Sequence, residues 1–199
     1  MGALFCLMTP EGRGSIRRWI ILIGLGLALG SGCAIKPFNV KPRPTAPPGG
    51  FAARATEGSL EVKAGTIRDE DYLYITFDAN LVLAGVLPLK LEIRNGGSQP
   101  VNMKQAQFML SNGQKPIGPR RAFKRLMTYY KIRLYSPEGY KASLGDFMSY
   151  GLDQASLLPP GESRWGILFF QDRPDHPSGR GLILSVKGLG SAGLKMAVD

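Results

Sequence analysis

The chain has 199 residues, 44% hydrophobic and 20% charged, with a formal net charge of +10. Such a composition suits one globular core, leaves no room for two large domains, and excludes collagen-like or wholly disordered chains. The 26 glycines and 15 prolines favour short strands joined by turns, and the charge favours anionic surfaces such as lipid head groups, cell-wall polymers or acidic proteins.

The first element is apolar. Arg13, Arg17 and Arg18 precede the uncharged run Trp19–Leu29, which Gly30-Ser31-Gly32-Cys33 follows. A positive segment, a short apolar stretch and small residues before a cut are the parts of a secretory signal peptide, here predicted over residues 1–32. The apolar run spans about 16 Å as a helix, short of the ~30 Å hydrocarbon core of a bilayer. Residues 30–33 resemble the lipobox of bacterial lipoproteins, with Gly30 where that family usually carries Leu and Leu29 one place further out. The resemblance implies cleavage before Cys33 and a diacylglycerol thioether on its sulfur. It also implies, from Ala34, the outer membrane in a Gram-negative envelope. Cys6 and Cys33 are the two cysteines, so cleavage leaves the folded part without a disulfide, a thiolate metal site or a cysteine nucleophile. Export also argues against a nucleic-acid partner.

Residues 33–57 carry prolines at 37, 42, 44, 47 and 48 and the pair Gly49-Gly50. This composition predicts an extended, lipidated tether that holds the domain away from the membrane. From residue 58 the apolar period becomes two. Leu60, Val62 and Ala64 alternate with charged residues, and Leu73, Ile75 and Phe77 form a second row behind Asp69-Glu70-Asp71, three acids read as a solvated turn before a strand. Leu87, Leu89, Leu91 and Ile93 predict a strand with one face on a core and one in water. It ends at Asn95-Gly96-Gly97, restarts after Pro100 with Val101 and Met103, and is followed by Ala106, Phe108 and Leu110 before Asn112-Gly113.

Between about 119 and 152 the alternation gives way to Phe123, Leu126, Met127 and Tyr130, one stripe of an amphipathic helix. Arg120, Arg121, Lys124, Arg125, Lys131 and Arg133 fall between these positions. Either the helix caps the open end of a sandwich with its basic residues solvated, or those six residues contact an anionic partner. A second short helix is predicted through Leu144–Gly151. Strands return at Trp165–Phe170, Leu182–Val186 and Leu194–Val198.

The expected fold is therefore mainly β, an antiparallel β-sandwich over residues 58–199 with a short helical insertion. Three stretches carry a further resemblance: Leu91–Val101, Phe108–Gly113 and Leu158–Phe169. In each the turn chemistry resembles the telokin-like, immunoglobulin-type domain of exported bacterial proteins, where a strand ends in Asn, Pro-Val restarts it, and Pro-Gly-Glu leads into a strand with a central Gly. That resemblance implies an immunoglobulin-like fold and no particular activity.

No set of residues spells an active site. His176, the single histidine, sits with Asp172 and Asp175 in a proline-rich loop that falls short of a zinc ligand set. There is no Gly-x-Ser-x-Gly elbow, and Gly188-Leu-Gly190-Ser-Ala-Gly193 reads as a loop between strands rather than a nucleotide site. No catalytic residue, metal or small-molecule cofactor is expected. The expected function is a lipid-anchored binding or accessory module of the bacterial cell envelope, partnered by the membrane and by another envelope protein or polymer. The competing readings are an anionic-surface binder acting through the basic helix and a carboxylate-based hydrolase.

Overall fold

The computed structural model describes residues 38–130, 137–172, 181–190 and 192–198. The leader, Cys33, Lys131, Arg133 and the His176 loop lie outside these residues. Within them the protein is mainly β, with antiparallel sheets and three short helices.

One sheet has the order β1-β2-β3-β7, built from β1 (Ala53–Glu57), β2 (Leu60–Thr66), β3 (Val86–Asn95) and β7 (Ser163–Gln171). A second has the order β5-β8-β9, from β5 (Gln107–Leu110), β8 (Ile183–Lys187) and β9 (Leu194–Ala197). A two-residue ladder joins β4 (Val101–Asn102) to β6 (Leu157–Leu158). Leu87, Leu89, Leu91 and Ile93 of β3 share one buried core with Phe108, Leu184 and Val186 of the second sheet. The alternation in β3 thus places its apolar row where two sheets meet, as in a sandwich.

The reverse face of the first sheet, predicted at β3 to meet water, is covered around Lys90 and along β7, while Glu92 and Arg94 of β3 stay half-buried and exposed, respectively. Three helices lie over it: α1 (Glu70–Phe77), α2 (Pro119–Tyr129) and α3 (Pro137–Ser149). Leu73 and Phe77 of α1, Phe123 and Leu126 of α2, and Phe147 of α3 form a second core with Trp165, Ile167 and Phe169 of β7. The Phe147 ring stacks on Phe169 at 5.0 Å between centroids. β7 is therefore apolar on both faces, the pattern of a strand buried on both sides. The amphipathic stripe of α2 faces inward as its spacing predicts, but against the sheet face rather than the open end of the sandwich.

Residues 70–77 correct an expectation. Their alternation predicts a strand, yet they form a helix. The Asp69 side chain accepts from the Tyr72 backbone N–H at 3.0 Å, and Glu70 and Asp71 occupy the first turn, where a cap and negative charge both stabilise helix. Leu73, Thr76 and Phe77 are the buried positions, an i, i+3, i+4 set that only a helix presents on one face. The three acids therefore open a helix and do not solvate a turn before a strand.

The predicted tether is also shorter than its prolines suggest. Phe38 and Val40 are buried in the second core, and residues 38–48 run as a strap over the helical layer and the sheet. Lys41 N–H donates to Thr76 O at 2.9 Å, the Tyr150 hydroxyl to Lys41 O at 3.1 Å, and Trp165 Nε1 to Thr45 O at 2.9 Å. The Arg43 guanidinium lies 4.2 Å from the Trp165 ring centre and donates to the carbonyls of Ser149 and Trp165. Lys90 of β3, almost fully buried, donates to Pro48 O at 2.7 Å, and desolvation pulls its ammonium below the usual lysine range. Proline has no backbone N–H to give a sheet ladder, but nothing prevents a proline-rich segment from crossing a sheet as a strap whose carbonyls accept from side chains. β1 then follows within the segment expected to be spacer.

Candidate ligand groove and basic helical face

Two of the three stretches that prompted the immunoglobulin-type resemblance, Leu91–Val101 and Leu158–Phe169, meet around one side chain. Asn95, buried at the end of β3, donates through Nδ2 to Gln99 O at 2.8 Å and Leu158 O at 3.1 Å, and its Oδ1 accepts from Gly97 N–H at 3.0 Å. Its backbone carbonyl accepts from Gly161 N–H at 2.7 Å. Val101 pairs with Leu158 in the β4–β6 ladder. Gly166, the central glycine of β7, pairs with Leu91 of β3 and lies against the backbone of Leu152.

A groove of about 590 Å3 opens between β5 of the second sheet and β7 of the first. Phe108, Ile117, Leu168 and Phe169 supply apolar surface, Gln107 and Gln154 supply amides, and Lys115 and Lys187 supply positive charge; no carboxylate, histidine or cysteine lines it. Its size and mixture of apolar wall with few polar groups are those of a small-molecule site. The wall is built by non-local contacts. Ile117 N–H donates to Phe169 O at 2.7 Å, Ile167 N–H to Tyr150 O at 2.7 Å, and Leu152 N–H to Ile167 O at 3.3 Å. Gln154 Nε2 donates to Ala106 O at 3.1 Å across the groove. No local pattern in the sequence marks these positions, which come from five separate stretches of chain.

The predicted anionic contact residues divide. Arg120, Arg121 and Lys124 are exposed on α2, and Arg125 is half-buried. Lys131 and Arg133 lie outside the described residues. Arg120 and Arg121 stand in the first turn of α2, which has no acid there and no side-chain cap at Gly118; cations at that end oppose the helix dipole. Exposed tyrosines flank them. Tyr140 of α3 packs edge-on against Phe123 at 5.6 Å, and Tyr129 packs against Tyr130 at 4.9 Å. The Tyr130 hydroxyl accepts from Asn80 N–H at 3.0 Å and donates to Asn80 O at 3.2 Å, and burial followed by the Tyr74 hydroxyl raises its pKa to about 12.

Among the described residues, the glycine-rich stretch has a plain structural partner. The glycine-rich stretch 188–193 is the loop joining β8 to β9, and it wraps the Glu57 carboxylate. Glu57 accepts from Ala192 N–H at 2.6 Å and Gly193 N–H at 3.2 Å. Asp153 accepts from Ser156 Oγ and Ala155 N–H, which with Arg164 hold its carboxyl below the usual range. Among the described residues no group of three histidines, cysteines or acids could hold a metal ion, and no helix is long and apolar enough to cross a membrane. Comparison with family models, with curated proteins and with solved structures gives no match.

Proposed function

We propose that the protein is a lipid-anchored binding module of the bacterial cell envelope, an immunoglobulin-type sandwich that holds an amphiphilic, anionic small molecule in the groove between β5 and β7. The observation that carries the binding reading is the groove's lining. Apolar surface from Phe108, Ile117, Leu168 and Phe169 accompanies Lys115 and Lys187, with no carboxylate to oppose an anion. A ligand with an apolar body and one acidic group matches both parts. The anchor rests on the leader and the lipobox-like residues 30–33, and the outer membrane is the expected location in a Gram-negative host. The immunoglobulin-type assignment rests on the meeting of two of the three resembling stretches, at Asn95 with Leu158 and Gly161.

The test takes the full chain expressed in a bacterial host, wild type and Cys33→Ala, with intact mass and membrane fractionation, followed by titration with a dansylated fatty acid. The expected wild type begins at an acylated Cys33 and pellets with membranes, while the variant loses both properties. The expected probe binding is saturable and falls on Lys115→Glu with Lys187→Glu. A wild type that keeps its leader overturns the anchor, and binding indifferent to the two charge reversals overturns the groove.

A further inference from the structure

The length of chain between Cys33 and Phe38 limits how far a lipid on Cys33 can stand from Phe38. Cys33 stands five residues before Phe38, the first described residue of the strap, which is buried. Five peptide units reach at most about 18 Å. Phe38 is held against the helical layer: its ring meets Phe123 of α2 at 6.1 Å, and its carbonyl accepts from Ser143 Oγ of α3 at 2.9 Å. The sheet β5-β8-β9 lies behind the first sheet, about 10 Å further away. A lipid on Cys33 would therefore attach within about 18 Å of Phe38, which favours the helical layer over the second sheet as the face nearer the bilayer.

We propose that this layer is a membrane-docking face, with Arg120, Arg121 and Lys124 against anionic lipid head groups and Tyr129 and Tyr140 at the interface. The proposal rests on the lipid-anchor reading of Cys33. The face has the chemistry that an anionic bilayer surface selects. Three exposed cations lie on a helix free of acids. Tyr74 and Ile75 of α1, Tyr129 of α2, and Tyr140 and Met148 of α3 are all large and exposed. Tyrosine beside exposed aliphatic side chains and basic residues suits the head-group boundary, where one end of the ring is apolar and the other wet. The acids of these helices and their caps are Asp69, Glu70 and Asp71 at the start of α1, Asp78 after it, whose Oδ2 accepts from Asn39 N–H, and Glu138 and half-buried Asp146 on α3. Arg120 and Arg121 are unfavourable in the first turn of a free helix, and anionic head groups relieve that conflict. The lipid then supplies attachment, and the helical face supplies orientation.

The mature chain would have no free thiol, so a single cysteine can carry an environment-sensitive fluorophore. Tyr140→Cys places it on the helical face and Lys195→Cys on exposed β9 of the second sheet. Both are prepared as full chains in vesicles of phosphatidylethanolamine with phosphatidylglycerol, and in phosphatidylcholine alone. The expected result is a blue-shifted, quencher-shielded probe at position 140 in the anionic vesicles and a solvent-exposed probe at 195 in both. Arg120→Glu, Arg121→Glu and Lys124→Glu together are expected to return the probe at 140 to water while the chain still pellets, since each basic contact to an anionic surface contributes about fivefold. Equal exposure at 140 and 195, or shielding that survives the charge reversal, overturns the docking and leaves the anchor standing. A probe at 140 exposed on every vesicle but shielded by an added acidic protein assigns the face to that class of partner instead. A wild type that itself takes up label at Cys33 has no thioether, which overturns the anchor and, with it, this orientation.

Discussion

Gly166 in β7 lies so close to Leu152 that a Cβ added to it would stand 2.7 Å from the Leu152 nitrogen and nearer still to its Cα. The neighbouring atoms are backbone, and that backbone is fixed by the pairing of Leu152 N–H with Ile167 O and of Ile167 N–H with Tyr150 O. No flexible side chain is available to move aside. Gly166→Ala is expected to lower stability by about 2–3 kcal/mol through overpacking. Thermal unfolding checks it, and an unchanged Tm contradicts the close approach.

The second core depends on one ring. Phe147 is fully buried, stacks on Phe169, and meets Phe77 at 5.5 Å and Phe123 at 5.3 Å. Phe147→Ala leaves a cavity where all three helices and the sheet meet, with an expected cost of about 3–5 kcal/mol. Denaturant titration gives the value directly. A loss below about 1 kcal/mol would mean that the helical layer is not packed on the sheet as described.

Asn95 satisfies three backbone groups through its side chain. Asn95→Ala strands the carbonyls of Gln99 and Leu158 and the N–H of Gly97, and a buried unpaired group costs about 1–3 kcal/mol. The expected loss is therefore about 2–4 kcal/mol, larger than for Asn112→Ala, whose Oδ1 makes one exposed turn bond to Gln114 N–H. Parallel unfolding curves of the two variants decide the comparison.

Alkaline titration reports on two tyrosines. Burial raises Tyr150 to about 12, as it does Tyr130. Both pKa values lie above that of a tyrosine in the unfolded chain, about 10. Their contribution to stability is thus complete below pH 10 and is lost as pH rises from 10 through 12, because the unfolded state releases those protons first. Absorbance at 295 nm is expected to show a late phase that Tyr150→Phe reduces. A single phase near pH 10 contradicts the burial of both rings.

Arg43 offers a contrast between charge and shape. Its guanidinium lies on the Trp165 ring and donates to two carbonyls, and desolvation lowers its pKa. A planar fork makes those contacts together, whereas a lysine ammonium cannot. Arg43→Lys is expected to loosen the strap and raise amide exchange at Lys41, which donates to Thr76 O. Hydrogen exchange at that amide should stay unchanged if the strap is held by its apolar residues alone.

Much of the β framework was legible from local rules. The alternation of Leu87, Leu89, Leu91 and Ile93 marks β3, the stripe Phe123, Leu126, Met127 and Tyr130 marks α2, and Asn95-Gly96-Gly97 marks the turn. Each depends on a period within one element, so a neighbourhood of about ten residues contains the signal. Glu70–Phe77 failed the same test because tyrosine, isoleucine and threonine mimic a strand's alternation. A cap at Asp69 and an inward i, i+4 face outweighed that weak preference.

What lay beyond local reading was the cover on the first sheet. Alternation in β3 implies one wet face, yet Lys90 on that face is buried beneath Pro48, and nothing within ten residues of either indicates the other. The doubly apolar run Trp165–Phe170 was the one sequence sign that β7 has two buried faces. The groove shows the same division, since its walls at 106–109, 115–119, 152 and 154, 167–169, and 185 and 187 come together only through contacts between distant segments. The sequence by itself determined which segments alternate, where they turn, and that one helix carries basic residues without acids. The tertiary structure decided which faces meet, because burial depends on contacts between segments far apart in the chain and local periodicity contains no term for them.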